Sequence, residues 1–377
     1  MKITCIIHSL AGGGAERVMA GLATRFSERG HEVTLLTLDN GQQDRYPVSD
    51  RVRRVALDVM SDSHHKLAAI QHTIRRCRAL RAAIAKSQPN AVLSFCDATN
   101  VLTLLAMLGS KTPIIVSERS DPAQQSLGWP WSTLRPWLYR SASEVIVLTD
   151  AAARFIKPWC RRPPLVIASA IDVPPVFERC PEAARSKRYL VGIGRLEREK
   201  GFDRLIDAFA KVAARHPHWQ LRLVGEGSCR EQLKQQVASR GLQNRIEFTG
   251  WIKPIWPSLA DADLFALTSR YEGFPSALME AMAAGVAVIA VDCESGPRAI
   301  VRNNIDGLLI ANTEDAVAEA LDQCMSDSAL RARLAREAAS LPTRYGWQAM
   351  VDAYEQCLMA AAKTSATITT DQQRSSI

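Results

Sequence analysis

Short runs of aliphatic and β-branched residues alternate along the chain with stretches whose apolar positions recur every three or four residues. This alternation predicts parallel sheets covered by helices on both faces. In the first half, strands are expected at residues 2–8, 32–38, 54–58, 91–95, 113–117, 144–148 and 165–168, with helices at 15–28 and 67–86. Polar, Pro-containing residues 173–187 break the rhythm and read as a linker. A second series follows, with strands at 188–193, 220–224, 245–249, 263–267, 287–291 and 307–310. Its helices are expected at 202–215, 230–240, 276–284 and 314–325. A last helix is expected at 347–362, ahead of a polar tail, 363–377, that reads as disordered.

The pattern implies an α/β chain of two doubly wound, Rossmann-like domains, 1–172 and 188–362, facing a central cleft. Such sheets bind ligands at the carboxyl ends of their strands. A length of 377 residues supports two domains rather than one core. With 47% hydrophobic and 23% charged residues the chain is globular. No apolar run is long enough to span a bilayer. The opening residues carry no signal-peptide pattern, so the cytoplasm is the expected location. The 9 cysteines are scattered without CxxC spacing, which argues against a disulfide framework and a zinc site.

Charge changes the picture. Of 47 Lys and Arg and 39 Asp and Glu, residues 1–175 hold 22 and 14, so the whole net charge of +8 falls in the first half. An excess of that kind points to an anionic partner: phosphate groups or a membrane surface. Nucleic acid is not expected, because no reading motif accompanies the basic residues.

The densest chemistry lies at residues 269–285, Ser-Arg-Tyr-Glu-Gly-Phe-Pro-Ser-Ala-Leu-Met-Glu-Ala-Met-Ala-Ala-Gly. A strand ends here and a helix begins. Ser276 is the expected N-cap, and the free N–H groups beside it favour a phosphate. Glu280, one turn on, can accept hydrogen bonds from two neighbouring hydroxyls, and Glu272 can orient the hydroxyls of a sugar. An amphipathic helix with two solvated glutamates is the alternative for the spacing alone.

Taken with its neighbours, Glu272-Gly273-Phe274-Pro275 through Glu280 resembles the E-x7-E motif of the retaining family 4 glycosyltransferases, enzymes of the GT-B fold found in bacterial surface-polysaccharide synthesis. Residues 192–203, Gly-Ile-Gly-Arg-Leu-Glu-Arg-Glu-Lys-Gly-Phe-Asp, are similar to the family's phosphate-binding turn, and residues 292–298 to a further stretch. The resemblance implies that Arg195 and Lys200 hold a donor diphosphate, and that Gly225 and the Gly250-Trp251 pair lie near the nucleotide base. Arg and Lys on one turn can offset charge developing on a leaving diphosphate.

Residues 11–18 join the first strand to the first helix through Gly12, Gly13 and Gly14. Gly13 and Gly14 are candidate donor contacts at a helix start; a tight turn without a ligand is the alternative. A nicotinamide fingerprint is disfavoured, because Arg17 stands where Gly or Ala must pack. At the end of the fifth strand, Ser117-Glu118-Arg119-Ser120-Asp121-Pro122 resembles a subgroup pattern that turns Glu118 and Arg119 toward the cleft, with a structural Arg–carboxylate pair as the alternative. Asp97 is a second acceptor candidate. Trp129, Trp131 and Trp137 lie near Arg135 and Arg140, while Arg75, Arg78, Arg81 and Lys86 share a helix sector opposite Ile70, Ile74, Cys77 and Ile84. This grouping suits an anionic membrane surface. It also suits a solvated helix face over core tryptophans.

The resemblance therefore implies a retaining, metal-independent transfer from a UDP- or GDP-sugar to a glycan, with a lipid-linked saccharide as the expected acceptor and no cofactor. Glu272, Arg195, Lys200 and Glu118 are the candidate catalytic residues. Two rivals stay open: a nucleotide-sugar epimerase on the same fold and a non-catalytic sugar-nucleotide-binding subunit.

Overall fold

The structure is a computed structural model that describes residues 1–60, 66–176, 186–293 and 295–374. Most of the linker expected at 173–187, together with Glu294, lies outside the described residues. The chain divides into two compact units, Met1–Ser169 with Trp347–Ile377, and Ala170–Gly346.

The first unit is built on strands β1 (Lys2–Ile7), β2 (Glu32–Thr37), β3 (Arg53–Ala56), β4 (Ala91–Phe95), β5 (Ile114–Ser117), β6 (Glu144–Val147) and β7 (Leu165–Val166). They pair in parallel in the order β3-β2-β1-β4-β5-β6-β7. Strand β1 is buried beyond its first residue, as a strand covered on both faces must be. Helices α1 (Gly14–Glu28), α2 (Lys66–Ser87), α3 (Asp97–Ala106), α4 (Trp131–Tyr139) and α5 (Asp150–Ile156) connect them. Gly30, at φ 85°, ends α1 by letting the His31 N–H return to the Phe26 carbonyl. The sequence pattern places helical stretches between most of these strands but gives no bounds for α3, α4 or α5. Helix α3 is buried almost all round, which erases the polar half of its period.

The second unit holds β8 (Arg188–Ile193), β9 (Trp219–Val224), β10 (Ile246–Gly250), β11 (Leu264–Leu267), β12 (Ala287–Val291) and β13 (Leu308–Ile310). Its parallel order is β10-β9-β8-β11-β12-β13. The helices are α6 (Phe202–Val212), α7 (Arg230–Ser239), α8 (Trp256–Ala260), α9 (Ser276–Ala283), α10 (Pro297–Ile300), α11 (Glu314–Ser326), α12 (Ser328–Ala338) and α13 (Leu341–Arg344). Phe202, Leu205, Ile206, Phe209 and Val212 form the buried stripe of α6. Each large member contributes about 1.5–3 kcal/mol on burial.

Both sheets reverse direction once. Strand β1 lies between β2 and β4, and β8 between β9 and β11. The crevices at the carboxyl ends of β1/β4 and of β8/β11 are therefore the topological switch points, where doubly wound folds take ligands.

The last helix, α14 (Trp347–Arg374), corrects two expectations. Residues 347–362 belong to the first unit, because Met350, Val351, Tyr354 and Leu358 are buried there and the Ser117 hydroxyl lies 2.9 Å from that of Tyr354. Arg29 also reaches from the end of α1 to Asp352 and Glu355, at 2.6 and 2.5 Å. The expected disordered tail is helical as far as Arg374. On helix α2, Ile70 and Ile74 are 59% and 46% exposed, while Ile84 is buried.

Candidate active site

At the switch point of the second unit, the end of β8 meets the end of β9 backbone to backbone. The Gly194 N–H donates to the Val224 carbonyl at 3.0 Å, and the Leu196 N–H to the Glu226 carbonyl at 2.8 Å. A side chain at Gly225 would run into the Gly194 carbonyl. Gly225 thus shapes the turn that follows β8. A 3-10 turn, Arg198–Lys200, comes next, and Gly201 follows it at φ 66° with no room for a Cβ against the Thr268 carbonyl. This close approach brings Lys200 to the end of β11. The Lys200 Nζ donates to Glu272 Oε1 at 2.7 Å, and the Ser269 hydroxyl donates to the same oxygen at 2.7 Å. Glu272 is buried, so its carboxylate is fixed rather than solvated.

Arg195 is placed differently. Its side chain is 74% exposed and pairs with Glu199 at 2.8 Å, so it stands on the rim while Lys200 points inward. Arg270 braces the same turn through Asp203, with contacts of 2.9 and 2.6 Å. Burial would raise the Asp203 carboxyl, but the Arg270 hydrogen bond and charge hold it below the usual range.

The loop Gly273-Phe274-Pro275 then leads into α9. Phe274 packs edge-on against Tyr345 at 5.6 Å between ring centroids. A Cβ at Gly296 would lie 2.9 Å from Pro275, so only glycine lets the two loops interlock. Ser276 is the first residue of α9, not its N-cap. Pro275 caps the helix and offers no side-chain acceptor, and the first turn contains no acidic residue. The N–H groups at this helix start therefore favour an anion. Glu280 is half-buried one turn further on.

At the switch point of the first unit, Gly13 precedes the first residue of α1, Gly14. A side chain at Gly13 would collide with the Glu16 carboxylate. The chain's own carboxylate thus sits where the sequence suggested a donor phosphate beside Gly13 and Gly14. His8 Nε2, just past β1, lies 3.2 Å from Glu16 Oε1. Asp97 Oδ1 accepts the Ala98 N–H at 2.7 Å at the start of α3.

Glu118 corrects another expectation. It is fully buried, 2.8 Å from Arg135, and it accepts the Tyr139 hydroxyl. Burial raises its carboxyl to about 7, against the opposing pull of Arg135. It is a structural carboxyl beneath α4, not a group facing a ligand. Arg119, half-buried, donates to the Ser169 and Tyr354 hydroxyls. The sequence reading missed His8, Glu16 and Ser269 as site residues. Ser269 carried a signal, standing at the end of a strand three positions before Glu272. Among the described residues, no three His, Cys, Asp or Glu side chains gather as metal ligands.

Comparison with known proteins fits this geometry. The model of the family described as "Glycosyl transferases group 1" matches residues 178–341, and the "Glycosyl transferase 4-like domain" matches residues 13–168. The chain is 27% identical over 347 residues to an α-1,4-N-acetyl-D-galactosaminyltransferase of Campylobacter jejuni whose name gives a GalNAc-containing undecaprenol-diphosphate glycan as its acceptor, covering 90% of this chain and 92% of that one. It is 25% identical to the amylovoran biosynthesis glycosyltransferase AmsD of Erwinia amylovora, over 92% of this chain and 96% of that one. Anabaena HepE, solved with UDP and glucose, superposes with a TM-score of 0.78 at 20% identity, over 95% of this chain and 99% of that one. A 4-like domain followed by a group 1 domain, each on its own doubly wound parallel sheet, places this chain in the GT-B glycosyltransferase family, of the family 4 type.

Proposed function

We propose that this chain transfers a sugar, with retention of configuration and without a metal, from a UDP- or GDP-sugar to a lipid-linked glycan in the synthesis of a bacterial polysaccharide. The observation that carries the reading is the Lys200–Glu272–Ser269 cluster at the second unit's switch point, with both contacts to Glu272 Oε1 at 2.7 Å. Lys200 offsets the charge that grows on the departing diphosphate, and the start of α9 receives a phosphate. Glu272, pinned through one oxygen, keeps the other for hydroxyls of the donor sugar. Glu280 accepts the ribose hydroxyls. The acceptor hydroxyl attacks the anomeric carbon on the face the diphosphate leaves, the glycosidic bond to the diphosphate breaks, and a diphosphate oxygen takes the hydroxyl proton. Fixed charge in a preorganised site stabilises that transition state more than the ground state.

Support for the acceptor comes from the two relatives, whose names give an undecaprenol-diphosphate-linked substrate and amylovoran biosynthesis. Support for attachment to the inner face of the cell membrane comes from the first unit's surface. Trp129 and Trp137 are 84% and 60% exposed, and Arg75, Arg78, Arg81 and Lys86 on α2 all face solvent. No helix among the described residues is long and apolar enough to cross a membrane. The test is to incubate the protein with UDP- and GDP-sugars and a polyprenyl-diphosphate-linked glycan in the presence of chelator, and to read the new linkage by NMR. Retained configuration with chelator present is expected. An inverted linkage, an isomerised nucleotide sugar as sole product, or turnover that returns only with added magnesium or manganese would overturn the reading.

A further inference from the structure

The 3-10 turn Arg198–Lys200 cannot hold its own shape. It has no side-chain cap, and a single turn of this kind has weak internal hydrogen bonds. Its carbonyls are satisfied instead from the end of β11, 72 positions away. The Arg270 N–H donates to the Glu199 carbonyl at 2.8 Å, and the Arg270 guanidinium donates to the Arg198 carbonyl at 2.5 Å. The Thr268 hydroxyl donates to the Gly201 carbonyl at 3.0 Å and, at 3.4 Å, to that of Lys200. The successive carbonyls from Arg198 to Gly201 thus take donors from one strand end.

The guanidinium has a second fixed point. Its terminal nitrogens lie 2.9 and 2.6 Å from the two oxygens of Asp203, in the first turn of α6. Such a fork fixes direction as well as distance. The two side chains are 25% and 40% exposed, so the charge attraction by itself adds little to stability. Sequence order shows what the fork does instead. Asp203 stands three residues after Lys200, and Arg270 two residues before Glu272, so the fork closes the same two loops that the Lys200–Glu272 contact closes.

We propose that Arg270 is a positioning residue for the transfer: oriented by Asp203, it locks the backbone of residues 198–201 so that Lys200 is held toward Glu272 and the donor diphosphate. The inference rests on the glycosyltransferase reading and deepens it. Residues 268–272 work on the turn at two points, Glu272 on the Lys200 side chain and Arg270 on the backbone that carries it.

The test uses the full chain and two readouts. Arg270→Ala removes the guanidinium contacts and leaves the backbone bond to Glu199. Asp203→Asn keeps the shape of the α6 start and removes the charge that orients the fork, so it decides the matter if Arg270→Ala fails to fold. The first readout is trace acetylation with acetic anhydride, measured by mass spectrometry as the reactivity of Lys200 relative to Lys234 on α7. Lys200 should react faster in both variants than in the wild type. It should be unchanged in Arg240→Ala, which breaks a surface pair with Asp207 on α6. The second readout is a double-mutant cycle in sugar transfer. Arg270→Ala should lower kcat about tenfold to a hundredfold, the scale for displacing a reacting group by about 1 Å. In the Lys200→Ala background the same substitution should cost nothing further, because its effect passes through Lys200. Unchanged acetylation of Lys200 in both variants, or losses that multiply in the cycle, would overturn the proposal. If the wild type transfers no sugar from any UDP- or GDP-sugar, it is the glycosyltransferase reading that fails, and the acetylation still decides what holds Lys200.

Discussion

The two units repeat one topology and fill its crevice with opposite chemistry. At the β8/β11 switch point, Lys200 reaches in to a pinned Glu272, and α9 begins without an acidic residue or a side-chain cap. At the β1/β4 switch point, the acid that opens α1 folds back beside Gly13, and His8 and Asp97 complete an acceptor-rich edge. A doubly wound sheet thus fixes where a ligand binds, while the first turn of the adjoining helix decides its charge. In the second unit that turn is open to phosphate; in the first it is already occupied.

The largest effect is expected from breaking the cationic side. Lys200→Ala and Glu272→Gln should each lower kcat by about a hundredfold to a thousandfold, the range for removing a preorganised transition-state contact. Thermal melts should show that both variants stay folded. Arg195→Ala should cost much less than Lys200→Ala, because Arg195 is exposed and held by Glu199. Equal losses would show that the rim and the interior of this site act alike.

Next comes surface charge. Replacing Arg75, Arg78 and Arg81 by Glu should abolish flotation with anionic vesicles at low salt, since each basic residue near such a surface contributes about 1 kcal/mol. High salt should release the wild type as well. Binding of equal strength to neutral vesicles would contradict the assignment.

The smallest effect concerns Glu118, whose carboxyl is raised by burial in the folded chain from the usual 4.5 to about 7. Between those values the folded chain holds a proton that the unfolded chain releases, so stability falls as pH rises. The contribution is complete below about pH 4.5 and lost above about pH 7. Glu118→Gln should flatten this slope in denaturant melts at a series of pH values. An unchanged slope would place the proton elsewhere.

Much of the fold was legible because strands buried on both faces read as near-continuous apolar runs, as Ala-Val-Leu-Ser-Phe at β4 does with only Ser94 polar. Helix α14 was legible as a helix, but its own pattern carries no mark of which sheet it covers, and chain order suggested the wrong one. Glu118 was misread because its partners come from α4. Arg135 and Tyr139 stand one turn apart there, and their shared face was the signal available. The meeting of Lys200 with Glu272 spans 72 positions, beyond any local pattern, and only the family resemblance brought the two together. Asp97 was legible as a strand-end carboxylate, whereas its Oδ2, buried with no hydrogen-bond partner among the described residues, required coordinates.

Hydrogen–deuterium exchange of the full chain, with and without saturating UDP or GDP, tests the central contrast most directly. The account predicts protection of backbone amides at 194–201 and 269–280 in the second unit, with no change at 8–16 or 95–98 in the first. Protection at 8–16 without protection at 194–201 would contradict it.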